Sequence, residues 1–97
     1  MSTIIELAIF PTDKGQSVSP FVARSLRIIK ESGLDYELNP MGTCIEGEWE
    51  QVMKVVDGCF KALEPDCNRI YMTMKADFRR GKEGRLKGKV LSVEQKI

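Results

Sequence analysis

The sequence predicts an α+β domain of the ferredoxin-like class, a βαββαβ sandwich with an antiparallel sheet and an extra C-terminal helix. Residues 3–10 and 69–77 alternate apolar and polar side chains with the two-residue period of a half-buried strand. Two longer segments between residues 19 and 63 carry apolar residues at helical spacing instead. The 97 residues suffice for one domain, 1–97, and for no second one.

The first strand is predicted over residues 3–10, where Ile5, Leu7 and Ile9 share one face and Pro11 ends the alternation. A first helix follows, for which Ser17 and Ser19 are the candidate N-caps. Its apolar stripe consists of Val18, Phe21, Val22, Leu26 and Ile29. Gly33 is expected just beyond its C-terminus.

Residues 35–40 and 41–46 are predicted as two short strands separated by a bend at Pro40. The second helix is predicted from about residue 48 and stops before Pro65. The acidic residues at its start complement the helix dipole. Its expected apolar stripe consists of Trp49, Val52, Met53, Val56, Phe60 and Leu63.

The last strand is predicted over residues 69–77, with Ile70, Met72 and Met74 facing the helices. A basic loop at 81–84 leads to a C-terminal helix of about residues 84–97. The helix carries a narrow stripe of Leu86, Val90, Val93 and Ile97. A stripe this narrow and regular predicts self-association, to a homodimer or a homotetramer.

In this topology the first and fourth strands are neighbours, and the sheet face without helices should be polar with a few large side chains. The residues expected on that open face are Ile4, Glu6, Ala8, Phe10, Tyr71, Thr73, Lys75 and Asp77. One interpretation is a solvated face with cross-strand ion pairs. The other is a floor for a ligand or for another subunit, which would cover the exposed rings.

Composition excludes several classes of function. Fifteen basic and fourteen acidic residues nearly cancel, which argues against a nucleic-acid binder that works by bulk charge. The chain has no histidine, so histidine zinc sites and Ser-His-Asp triads are excluded. No metal and no cofactor are expected. The basic residues that concentrate after position 78 form either a solvated surface or an anion contact.

No apolar segment approaches the roughly 20 residues of a membrane-spanning helix. The N-terminus lacks the basic start of a signal peptide and contains Glu6. We therefore expect a cytoplasmic protein without a membrane partner. In that compartment the three cysteines, Cys44, Cys59 and Cys67, are expected to be free thiols.

The least ordinary segment is 39–48, which reads NPMGTCIEGE. One proline and two glycines interrupt a short strand pair, and Gly42 leaves room for a backbone or a ligand to approach closely. Glu46 precedes a helix, where free backbone N–H groups hold a carboxylate ionised. A strand bend followed by a helix cap is the structural alternative to a ligand site.

This segment resembles the P-M-G-T-x-I-E-G-E signature of the thiamine-binding, YkoF-like proteins. The resemblance continues along nearly the whole chain, at the segments 17–23, 32–36, 70–79 and 89–94. Three departures stand out: Phe21 replaces a tyrosine, Ala76 replaces a bulkier residue, and the histidine frequent in the second helix is missing. The resemblance implies a ferredoxin-like subunit that assembles through its sheet and binds thiamine or its hydroxymethylpyrimidine part.

Thiamine joins a thiazolium cation to an aminopyrimidine, so its site needs a carboxylate, hydrogen-bonding groups and apolar surface. The residues expected to supply these are Asn39, Met41, Gly42, Thr43, Glu46, Asp77 and Arg79. The main hypothesis is a small-molecule binding protein for thiamine or a related pyrimidine or thiazole compound, without catalysis. The alternatives are an enzyme acting on a small thiamine-related or anionic metabolite, and a self-assembling regulatory domain.

Overall fold

The computed structural model describes residues 2–97 and confirms the predicted fold class. Four strands form one sheet: β1 (Ser2–Pro11), β2 (Asp35–Asn39), β3 (Gly42–Gly47) and β4 (Ile70–Arg79). Three helices accompany them, α1 (Ser19–Glu31), α2 (Trp49–Leu63) and α3 (Arg85–Glu94), with a single 3-10 turn at Glu64–Asp66. The strand order is β2-β3-β1-β4 with every neighbouring pair antiparallel, as in the split βαβ arrangement.

Strand β1 lies at the centre of the molecule, between β3 and β4, and its alternation sorts its side chains between the two faces of the sheet. Ile5, Leu7 and Ile9 are buried beneath the helices, as the sequence predicts. Leu7 lies opposite Thr43 of β3 and Met74 of β4 in the pairing register. The rest of the buried apolar core comes from α1, β3 and α2: Ile29, Ile45, Val52, Val55, Val56, Cys59 and Leu63.

One prediction about the helices is wrong and another holds in part. The residue at the N-cap of α1 is Val18, without a side-chain cap, so neither Ser17 nor Ser19 caps the helix. Helix α2 buries Val52, Val56 and Leu63 of the predicted stripe, together with Val55 and Cys59. The aromatic residues of that stripe, Trp49 and Phe60, stay exposed. A β-carbon at Gly58 would lie 2.9 Å from Ile28, so α2 packs on α1 through its smaller side chains.

Strand β4 is an edge strand that the helices do not cover. Met72 and Met74 lie on the helix side of the sheet, yet they are 44% and 39% exposed, and of the predicted inward residues Ile70 packs against the core. The prediction that all three are covered fails because α1 and α2 lie over β1 and β3.

Helix α3 is shorter than the predicted 84–97, and it packs beside β1, β2 and β3. The residue it buries is Arg85, while the stripe residues Val90, Val93 and Ile97 are exposed. Polar contacts at its first turn therefore hold this helix. Among residues 2–97, no helix combines the length and the apolar character that crossing a membrane requires.

Candidate functional site

A cavity of about 260 Å³ lies between α1, the second half of β1 and the hairpin that joins β2 to β3. Its walls are mostly apolar, and Ser25, Asn39 and Thr43 contribute the polar side chains. None of the described residues that line it carries a charge. The remaining lining residues are Leu7, Ala8, Ile9, Phe10, Val18, Val22, Leu26, Ile29, Leu38, Pro40, Met41 and Gly42.

The cavity exists because β3 is shorter than β1. The pairing of β1 with β3 ends at Leu7 and Thr43, whereas its pairing with β4 continues to Pro11. Residues 8–10 of β1 therefore have no strand partner within residues 2–97 on the edge that faces the hairpin. In an antiparallel strand alternate residues point both N–H and C=O to the same edge. The cavity is thus bordered by backbone donors and acceptors that no ladder uses.

Two polar side chains of the cavity already have partners. The Ser25 hydroxyl lies 3.4 Å from the carbonyl oxygen of Cys59, to which it donates, and this holds α1 against α2. The Asn39 side-chain amide donates to the Cys44 sulfur at 3.8 Å, a weak contact that another acceptor could replace. A concave apolar space with few polar groups is the usual surrounding of a small ring-shaped ligand.

The seven site residues predicted from the sequence fall into two separate groups. Asn39, Met41, Gly42 and Thr43 all line the cavity. The other three, Glu46, Asp77 and Arg79, lie at the opposite end of the sheet. In the register of β1, Asp77 and Glu46 flank Ile4, four residues before Ala8, which is about 13 Å along a strand.

Glu46 lies in β3 and holds helix α3, not α2. Its carboxylate accepts hydrogen bonds from the Ser2 hydroxyl at 2.7 Å, the Arg85 N–H at 3.0 Å and the Leu86 N–H at 3.3 Å. Burial raises the pKa of Glu46, but these donors and the Arg85 charge outweigh burial and bring the pKa below its ordinary value. Glu46 therefore satisfies N–H groups that α3, which begins after Gly84, cannot satisfy itself.

The guanidinium of Arg85 adds further contacts between α3 and the sheet. It donates to the Ser2 hydroxyl at 2.8 Å, to the Ser2 carbonyl at 2.9 Å and to the Asp77 carbonyl at 2.8 Å. It also lies 3.3 Å from the Asp77 carboxylate, which forms an ion pair with Lys89. The Lys89 hydrogen bond lowers the pKa of Asp77, and the charges of Lys89 and Arg85 add to it. Asp77 is thus engaged by two cations that lie one turn apart on the same side of α3.

The carboxylate that lies beside the predicted signature is Glu6, which the sequence did not place in the site. A β-carbon at Gly42 would lie 3.6 Å from the Glu6 carboxyl carbon and 3.2 Å from its γ-carbon. Glu6, Cys44 and Glu37 form one cross-strand row on the open face, and Lys75 approaches Glu6 at 3.7 Å. Only the strand register places Glu6 beside this segment, and the sequence does not determine that register.

The open face carries the cross-strand ion pair of the first interpretation and the large rings on which the second interpretation rests. It holds the Glu6–Lys75 ion pair, and Phe10 and Tyr71 form an aromatic pair with ring centroids 5.7 Å apart. Both aromatic residues lie across from each other in the register of β1 and β4. The rings lie next to the cavity, since Phe10 also lines it.

The three cysteines are free thiols, as predicted. Burial raises the pKa of Cys59 to about 11. Burial also raises the pKa of Cys44, and the charges of Glu6 and Glu37 raise it further. Raised values leave the thiol protonated at neutral pH, which disfavours a nucleophilic role. Within residues 2–97 no three side chains of the metal-binding types are grouped as a metal site would need.

Comparison with known proteins assigns the chain to a family. Residues 5–94 match the profile of a family described as "Thiamine-binding protein". The "UPF0045 protein MJ1052" of Methanocaldococcus jannaschii is 30% identical over 90 residues, which are 93% of this chain and 90% of that protein. A UPF0045 protein of Methanothermobacter thermautotrophicus is 35% identical over 95 residues, with 95% and 96% of the two chains covered.

Solved structures agree with this assignment. The crystal structure of the Methanocaldococcus jannaschii protein superposes with a TM-score of 0.88 at 29% identity, covering 96% of both chains. A Thermotoga maritima protein, named as a candidate for thiamine biosynthesis or salvage, superposes with a TM-score of 0.84 at 22% identity. That alignment covers 96% of this chain and 99% of the other, and it shows a shared fold. On the profile match and the relatives together, the chain belongs to the thiamine-binding protein family.

Proposed function

We propose that the protein binds a thiamine-related compound and holds the aminopyrimidine ring in the cavity between α1, β1 and the β2–β3 hairpin. The observation that carries the proposal is an uncharged apolar cavity bordered by the unpaired edge of residues 8–10. The family match supports the ligand class. The protein acts in this proposal as a binding protein and not as an enzyme.

The chemistry of an aminopyrimidine suits this cavity. The ring is flat and apolar on both faces, while its edge carries an amino donor and ring-nitrogen acceptors. Apolar walls such as Val22 and Leu26 would pack on the faces, and the free backbone edge of β1 would pair with the ring edge. The cavity, at about 260 Å³, is smaller than the roughly 300–1,000 Å³ of sites for drug-sized ligands, so it suits one ring.

The second, cationic ring of such a compound would lie outside the cavity, towards the open face of the sheet. Glu6 is the carboxylate next to Gly42 there, and Glu37 lies in the same cross-strand row. We assign the cation contact to Glu6 instead of Glu46, because Glu46 already accepts hydrogen bonds from three donors at the other end of the sheet. Asn39, Met41, Gly42 and Thr43 remain in the proposed site.

The first experiment titrates hydroxymethylpyrimidine and thiamine into the protein by calorimetry, after a check that the protein is free of ligand. Val22→Phe fills the cavity and should lower the affinity for both ligands at least about tenfold. Val90→Phe makes the same change on exposed α3 and should leave both affinities unchanged. Absence of heat from both ligands in the unsubstituted protein would remove the proposal, as would equal effects of the two substitutions.

The second experiment separates the two rings of the ligand. Glu6→Gln should lower the affinity for thiamine by about tenfold, which corresponds to a lost charge-assisted contact of about 1.4 kcal/mol. The affinity for hydroxymethylpyrimidine should not change. Glu31→Gln, an exposed carboxylate at the end of α1, is the matched control and should change neither affinity. Equal loss of both ligands in Glu6→Gln would show that Glu6 does not contact the cation.

A further inference from the structure

A second groove lies at the other end of the sheet, between α3 and the segment that joins β4 to it. Its volume is about 490 Å³, well above that of the cavity. Basic residues dominate its lining: Arg79, Lys82, Arg85 and Lys89, with Gly88 and Ser92 on the helix side. Glu83 is the acidic residue among the described residues that line it. The groove therefore carries a net positive charge.

The four cations of the groove differ in how far they are neutralised. Arg85 is buried and donates hydrogen bonds to Ser2 and Asp77. Lys89 forms an ion pair with Asp77. Arg79 and Lys82 are exposed, and neither side chain forms a hydrogen bond or an ion pair with another described residue. The groove is thus lined by two positive charges that form no ion pair. The buried Arg85 anchors the first turn of α3, which forms one wall of the groove.

The helix wall of the groove also admits a ligand. A β-carbon at Gly88 would meet no atom within 4 Å, so the middle of α3 leaves open space. The Ser92 hydroxyl accepts a hydrogen bond from Lys96 at 2.9 Å, which leaves its own proton free to be donated. Guanidinium, ammonium and hydroxyl donors around one opening are the set that recognises a phosphate group.

We propose that this groove binds the phosphate group of a small phosphorylated metabolite, with Arg79 and Lys82 as its main contacts. The site goes beyond the proposed function, because it lies at the far end of the sheet from the cavity. A phosphate fits better than a carboxylate, since it presents more oxygens to the separated donors. A nucleic acid fits less well, because the whole chain has a net charge of +1.

The test titrates inorganic phosphate and diphosphate into the protein and records melting temperatures, with sodium chloride at matched ionic strength as the salt control. Both anions should raise the melting temperature beyond the chloride effect, diphosphate more strongly. The double substitution Arg79→Gln with Lys82→Gln should lower the affinity for both anions at least about tenfold. Arg27→Gln with Lys54→Gln removes two exposed charges from α1 and α2 and should change neither affinity by more than about twofold.

The outcomes separate this site from the cavity. Hydroxymethylpyrimidine affinity should be the same in the groove variant and in the unsubstituted protein, so failure of one proposal leaves the other intact. No stabilisation by either anion beyond chloride would overturn the phosphate site. Equal weakening by the groove and the control substitutions would overturn it too. Binding of a single-stranded oligonucleotide without binding of either small anion would reassign the groove to nucleic acid.

Discussion

The carboxylate of Glu46 in β3 accepts the backbone N–H of Arg85 at 3.0 Å, while the side chain of Arg85 donates to Ser2 at the start of β1. These contacts join the first strand and the third strand to the start of the last helix. Helix α3 has Gly84 at its N-cap position, with a φ of 63° and no side chain to cap the first turn. The cap comes instead from a strand about forty residues earlier, whose carboxylate also complements the helix dipole.

Glu46→Gln should destabilise the protein without lowering its affinity for the ligand. Glutamine keeps the shape, but its NH₂ group would face a donor, so we expect a loss of about 1.5–3 kcal/mol in the free energy of unfolding. Urea unfolding measures it, and Glu37→Gln, an exposed carboxylate on β2, is the control that should change little. Unchanged stability together with a tenfold loss of hydroxymethylpyrimidine affinity would return Glu46 to the ligand site.

The same carboxylate predicts how stability depends on pH. The folded pKa of Glu46 lies below its ordinary value of 4.5, so the stabilisation is complete above pH 4.5 and is lost as pH falls through the lower folded value. Asp77 acts in the same direction below its ordinary value of 3.8, chiefly because of Lys89. Unfolding curves from neutral to acidic pH should therefore converge for the unsubstituted protein and Glu46→Gln. A constant difference between them would contradict the prediction.

We expect the protein to be a homodimer or a homotetramer, and edge strand β4 adds a reason to those from the sequence. The strand is long and carries exposed Tyr71, Met72 and Met74, and an uncovered apolar edge is prone to pair with another chain. Met74→Lys should shift the mass measured by light scattering towards the monomer. Val90→Lys tests the α3 stripe as the alternative contact. A monomer at micromolar concentration in the unsubstituted protein would remove the prediction.

The elements of the fold follow from local patterns, and so does part of the site. The two-residue alternation of Ile5, Leu7 and Ile9 identifies both the strand and its buried face, because an antiparallel strand with one covered face must alternate. Residues 39–43 are unusual in the sequence for their glycine and proline, which lie in the hairpin that forms one wall of the cavity. These features depend on neighbours in the chain and can be read from it.

Pairings between distant segments required the tertiary structure. The buried stripe of α2 includes Val55 and Cys59 in place of the predicted aromatic residues, because Gly58 packs on Ile28 of α1. The sequence does not specify which faces of the two helices meet. Glu46 leaves the proposed site and Glu6 takes its place there for the same kind of reason. The strand register places Glu6 beside Gly42, and the path of α3 places its first turn on Glu46.

The sequence by itself determined the class of fold, the faces of β1, the free thiols and the family to which the chain belongs. Each of these is encoded in periodicity, in composition or in a contiguous motif. The tertiary structure alone decided that the seven candidate residues form two groups and that β4 lies uncovered. It also decided that two cations without an ion pair line one groove beside α3. Such facts depend on strand register and on helix docking, which are set by the packing energy of the whole chain and not by local preference.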